Sequence, residues 1–127
     1  VKVIRREDIQ ADPDVLWCFG DNLAGVGLGG QAKECRGEPN AVGIPTKRLP
    51  SMEERAFFSD ADLPAMTTAF SPMLKRLHEH LQAGGTVHFP VMGVGTGFAD
   101  LRRRAPAVWA YLRDTLAVLG IENPKSR

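Results

Sequence analysis

Apolar residues along this chain follow two rhythms. Residues 15–19 and 86–91 are short apolar runs of strand length, and residues 41–44 are a third, stopped by Pro45. Met66, Phe70, Met73, Leu74, Leu77 and Leu81 recur at helical spacing and predict a helix ending at Gly84-Gly85. Pro72 interrupts that stripe. Either the helix kinks there or Ser71 caps a new helix with Pro72 at its first position, and we expect the second. A last helix is predicted from about Pro106 to Leu119, with Val108, Leu112, Thr115 and Leu116 on one stripe and Gly120 closing it. Residues 31–36 have room only for a short helix, closed by Gly37 and Pro39. Ser51-Met52-Glu53-Glu54 matches a capping box and predicts a short helix to about Phe58. Val1, Val3 and Ile4 suggest an opening strand, followed by Asp8-Ile9 and a turn at Asp12-Pro13-Asp14.

Strands alternating with helices predict an α/β fold with a parallel or mixed sheet covered on both faces. Two of the strands run straight into glycine-rich loops. The first loop holds Gly25, Gly27, Gly29 and Gly30, and the second is Met92-Gly93-Val94-Gly95-Thr96-Gly97-Phe98. Loops at the carboxyl ends of strands line the ligand crevice of an open α/β sheet. If the two strands are parallel neighbours, both loops open on one site.

Composition narrows the options little. A chain of 127 residues fits one domain, residues 1–127, with residues 121–127 as a frayed tail. A net charge of +1 leaves no nucleic-acid footprint, and Arg102-Arg103-Arg104 is the one basic cluster. It reads either as a solvated helix start or as a neighbour of a bound phosphate. Cys18 and Cys35 are too few for a disulfide framework, which fits a reducing, cytoplasmic setting. Cys18 lies in an apolar strand and reads as buried; Lys33 and Arg36 near Cys35 would modestly favour its thiolate, but a structural or incidental cysteine is the expected reading there. No apolar run approaches the ~20 residues of a membrane span, and no signal-peptide pattern opens the chain. His78 and His80 face different ways on one helix, and His88 sits on a strand, so no metal site is arguable.

The chemistry therefore rests on the two loops. Glycines let backbone amides approach a diphosphate with no Cβ in the way, and they permit positive φ. A helix that starts from such a turn presents unpaired N–H groups and the positive end of its dipole. Gly27, Gly29 and Gly30, with Gly93, Val94, Gly95, Thr96, Gly97 and Phe98, are the candidate ligand-binding residues. Asn22 donates and accepts hydrogen bonds at once, which suits a ribose diol or an ordered water. Asp21 and Asn22 also suit an Asx turn. Residues 25–30 match GxGxxG literally, but no acid follows the next strand to hold a ribose hydroxyl. A short Rossmann-type NAD(P)-binding protein is thus one alternative. A non-catalytic module for phosphate or a nucleic-acid end is another. No GK[ST] follows either loop, so this is not a P-loop NTPase.

The pattern FGDNLAG, glycines, QAKEC, then AVGIPTK resembles the macrodomain superfamily and its small bacterial and phage relatives. The matching elements are Asp8-Ile9, Asn22, Gly29-Gly30-Gln31-Ala32, Gly95-Thr96-Gly97-Phe98 and the Ala105-Pro106 that starts a helix. The resemblance covers roughly residues 8–110. It implies a three-layer α/β/α fold and an ADP-ribose-type ligand. Asp8 would meet the adenine amino group, Ile9 would donate its amide nearby, the loops would wrap the diphosphate, and Asn22 would sit at the distal ribose. This chain has Phe19-Gly20-Asp21-Asn22 where macrodomains usually carry Asn-Ala-Ala-Asn, and no convincing final strand follows Gly120. Hydrolysis of an ADP-ribosyl linkage would use a water, with Asn22 positioning the ribose and Asp21 the nearest candidate base. No cofactor is expected.

Overall fold

The structure is a computed structural model that describes residues 3–123. Among the described residues, three strands form one parallel sheet in the order β2-β1-β3. They are β1 (Val15–Asn22), β2 (Ala41–Lys47) and β3 (Thr86–His88). Trp17 lies opposite Ala41 on one side and His88 on the other. The two strands that lead into the glycine loops are therefore parallel neighbours.

Strand β1 is buried on both faces, and its side chains divide by parity. Leu16 and Cys18 join Val42 and Ile44 in a core closed by α3 (Leu63–Gln82) and α5 (Pro106–Val118). Trp17 and Phe19 face the opposite way, onto Ile9, Ala32 and Cys35. Ile9 comes from α1 (Arg6–Ala11), and the last two come from α2 (Ala32–Cys35).

Several predicted elements change. Val1 lies outside the described residues, and Val3 and Ile4 form no strand. A helix, α1, starts just beyond them at Arg6: the Asp8 carboxylate accepts the Arg5 amide at 2.9 Å, and Glu7 and Asp8 place acid in the first turn. Strand β2 runs through Pro45 to Lys47. It is an edge strand, where a missing N–H is tolerated, and the ladder with β1 shifts register between Asp21 and Asn22. Pro72 lies inside a continuous α3. Its cost of ~3 kcal/mol is offset by Phe70 and Leu77, one on either side and both fully buried, at ~1.5–3 kcal/mol each. The predicted capping-box helix is only a 3₁₀ turn, Glu54–Ala56. Ala56, Phe57 and Phe58 are all buried, and three successive inward residues exceed one face of a helix. Phe57 is extended and pairs with Lys47. Strand β3 ends at His88, short of the predicted Val91, because Pro90 has no N–H to continue a ladder. A second 3₁₀ turn, Asp60–Asp62, leads into α3, and an unpredicted short helix α4 (Leu101–Arg104) follows the second loop.

Candidate functional site

Both glycine loops open on one cleft of about 470 Å³ beyond the carboxyl ends of β1 and β2. Gly27, Gly29 and Gly30 line it from the first loop, and residues 93–99 line it from the second. Asp21, Asn22, Thr46 and Lys47 form the floor where the strands end.

The first loop is held by one side chain. Arg36, just after α2, donates from Nε to the Gly27 carbonyl at 2.7 Å. Its Nη1 reaches the Gly25 carbonyl at 2.7 Å and Asp21 Oδ2 at 3.3 Å. Its Nη2 reaches Asp21 Oδ1 at 2.5 Å and the Val26 carbonyl at 3.1 Å. A guanidinium has five N–H donors, and all five are used. Asp21 in turn accepts the Asn22 amide at 2.8 Å. The fork needs room beside Asp21, and Gly43 supplies it: a Cβ there would lie 2.5 Å from Asp21 Oδ2. Gly27 has φ +97°, and a Cβ would lie 2.7 Å from the Pro50 ring.

The second loop is held from the chain's far end. Asn123 is buried, with Oδ1 accepting the Val94 amide at 2.9 Å and Nδ2 donating to the Val94 carbonyl at 3.4 Å. The Thr96 hydroxyl donates to the Met92 carbonyl at 2.7 Å. Gly95 has φ +76°, and a Cβ would press on Leu101 at 2.9 Å. Residues 121–123 thus belong to the fold rather than to a frayed tail, and residues 124–127 lie outside the described residues.

Held this way, the loops offer donors to the cleft. Among the described residues, the amides of Gly27, Gly29, Gly30, Gly95, Thr96 and Gly97 donate no hydrogen bond within the protein. Gly27, Gly30 and Gly95 among them have positive φ, the backbone state from which anion-binding concavities are built. Lys47 adds a full charge. Its ammonium donates to the Ser51 carbonyl at 2.6 Å and lies 4.6 Å from the Phe57 ring centroid, and among the described residues no carboxylate pairs with it. Burial, with Arg104 nearby, lowers its pKa from the ordinary lysine value. Asn22 Nδ2 donates to the Val26 carbonyl at 2.8 Å, while its buried Oδ1 has no partner. Phe98, 80% exposed, lines the cleft with an open ring face.

Of the residues picked from sequence, both loops and Asn22 meet here. Asp8 and Ile9 do not line the cleft. The Asp8 carboxylate caps its own helix, and Ile9 is fully buried with its amide on the Arg5 carbonyl at 3.4 Å. Asp21 lines the cleft but is locked by Arg36, so it is an anchor rather than a base waiting for a water. Cys35 is also corrected: burial pushes its thiol up to about 11 despite Arg6, and burial pushes Cys18 up to about 12. His88 packs on Trp17 with ring centroids 4.5 Å apart, and burial lowers its pKa. Among the described residues, no cluster of three metal-ligating side chains occurs. Also among them, no helix is long and apolar enough to cross a membrane. Arg36 and Asn123 were missed, whereas the Lys47-Arg48 pair at the end of β2 was readable as a partner for a ligand phosphate.

The geometry defines an α/β domain with a parallel sheet and a cleft built from two glycine loops. Residues 1–115 match a family of unknown function (DUF7831), and the chain belongs to that family. No curated protein and no solved structure matches it.

Proposed function

We propose that this protein binds ADP-ribose, or a nucleoside diphosphate closely related to it, between the two glycine loops. The convergence of both loops on one cleft, with unpaired amides on each, carries this reading. Two such sets of donors suit a diphosphate better than a single phosphate, and Lys47 supplies the charge. Asn22 lines the cleft, and a turn of its amide would bring the unpartnered, buried Oδ1 to a sugar hydroxyl. The open face of Phe98 supports a ring or sugar lying against it.

We read the fold as a three-layer α/β/α arrangement of macrodomain type. The two apolar clusters on opposite sides of β1 support it, with α1 and α2 contributing to one and α3 and α5 to the other. The adenine end departs from the family pattern, because Asp8 is not part of the cleft. Hydrolysis with Asp21 as base is not part of the proposal, since both its oxygens are bonded to Arg36. A Rossmann-type NAD(P) site is less well supported, because β2 ends in Pro45-Thr46-Lys47 with no carboxylate for a ribose diol.

Calorimetric titration tests the proposal. ADP-ribose should bind, and more tightly than ADP or ribose 5-phosphate alone. No heat and no thermal shift with ADP-ribose at millimolar concentration would remove it.

A further inference from the structure

A site that selects adenine must offer an acceptor to its exocyclic amino group, where guanine instead presents a carbonyl that needs a donor. In the cleft, most groups that could make this distinction are spent inside the protein. Among the described residues, Asp21 is the one carboxylate lining it, and its oxygens accept from Arg36 and from the Asn22 amide. The carbonyls of Gly25, Val26 and Gly27 are taken by Arg36, whose own donors are all used. Thr46 Oγ1 donates to the Asp21 carbonyl at 3.2 Å, and the Thr96 hydroxyl donates to the Met92 carbonyl.

What remains free does not sort one base from another. Val26, Met52 and Phe98 line the cleft and are 52%, 62% and 80% exposed, so they stand at its mouth with uncovered apolar surface. Exposed apolar side chains grouped around one opening mark a contact surface. Every base has a π face, so stacking and thioether contacts do not depend on the groups at its edge. Gln31 also lines the cleft, and among the described residues its side chain makes no hydrogen bond. A primary amide carries donors and an acceptor, and by turning over it meets either kind of base edge.

We propose that the cleft binds sugar-linked nucleoside diphosphates without selecting adenine. The loop amides and Lys47 hold the diphosphate, and the apolar mouth holds the base by its faces. This rests on the reading of the cleft as a diphosphate site and widens the class of ligand that the site accepts.

Calorimetric titration with ADP-ribose, GDP-ribose and etheno-ADP-ribose tests it. The three share the diphosphate and both sugars. Guanine presents a carbonyl where adenine has its amino group, and the etheno bridge closes that amino group off. Their dissociation constants should agree within about threefold, less than one typical hydrogen bond contributes. Phe98→Ala, at a position open to solvent, should weaken all three by a common factor of roughly tenfold. A spread of about tenfold or more among the three in the wild-type protein would overturn the proposal and leave the diphosphate site standing. A Phe98→Ala loss confined to one of them would do the same. No binding of any of the three would reject the diphosphate reading itself, and this inference with it.

Discussion

Replacing Arg36 by Met keeps most of the aliphatic stem and removes five hydrogen bonds at once. Three of them hold the carbonyls of Gly25, Val26 and Gly27, which water can partly satisfy once the loop opens. The other two neutralise Asp21, which would retain only the Asn22 amide. The side chains of Arg36 and Asp21 are 21% and 13% exposed, so this pair lies between the surface and buried limits. Surface pairs contribute ~0–1 kcal/mol, and breaking a buried one costs ~3–5 kcal/mol. A loss of about 2 kcal/mol follows for Arg36→Met, or ~6–10 °C in Tm for a domain of this size. Asp21→Asn should cost about the same, because the fork loses its charge partner. The double variant should be no worse than either single one, leaving a coupling energy of about 1–2 kcal/mol in a urea-denaturation cycle. Both single variants should weaken ADP-ribose binding through the loosened loop. Additive losses, or an Asp21→Asn protein as stable as wild type, would refute the anchoring role and return Asp21 to the candidates for a base.

Asn123→Ala should cost about 1–3 kcal/mol in urea denaturation, because it leaves the buried Val94 amide and carbonyl unpaired, and amide exchange should quicken in residues 93–97; unchanged exchange there would contradict the clamp. Gly27→Ala should cost roughly 1–3 kcal/mol from positive φ and contact with Pro50, with weaker ligand binding measured by calorimetry. Lys47 has a lowered pKa, so its charge is complete well below 10.5 and is lost as pH rises through that lowered value. Affinity for ADP-ribose should therefore fall on the alkaline side before 10.5, and Lys47→Met should bind more weakly at neutral pH and lose that pH dependence. A wild-type pH profile in the variant would exclude Lys47 from the site.

The legible parts of this protein were those whose signal is local. The apolar run Val15–Phe19 announces β1, although the strand continues through the Gly20-Asp21-Asn22 expected to end it, and the glycines of both loops mark where backbone must bend. That β1 and β3 are parallel neighbours was only a condition for a shared site, and the sheet order meets it. What escaped was tertiary. Nothing near Pro72 says that Phe70 and Leu77 will hold the helix through it. Pro45 ends a strand unless the strand lies at an edge, and strand order is not written locally. Arg36 resembles any helix-end arginine until Gly43 is seen to leave room for Asp21. Asn123 lies 29 residues from the Val94 it clamps. Asp8 shows the opposite error: the Asp-Ile motif was present, but the Asp8 carboxylate caps α1 instead of lining the cleft.

A titration of isotopically labelled protein with ADP-ribose, followed by amide resonances, tests the central claim most directly. The amides of Gly27, Gly29 and Gly30 should shift together with those of Gly95, Thr96 and Gly97 and report one dissociation constant. Shifts confined to one loop, or two loops saturating at different concentrations, would contradict a single shared site.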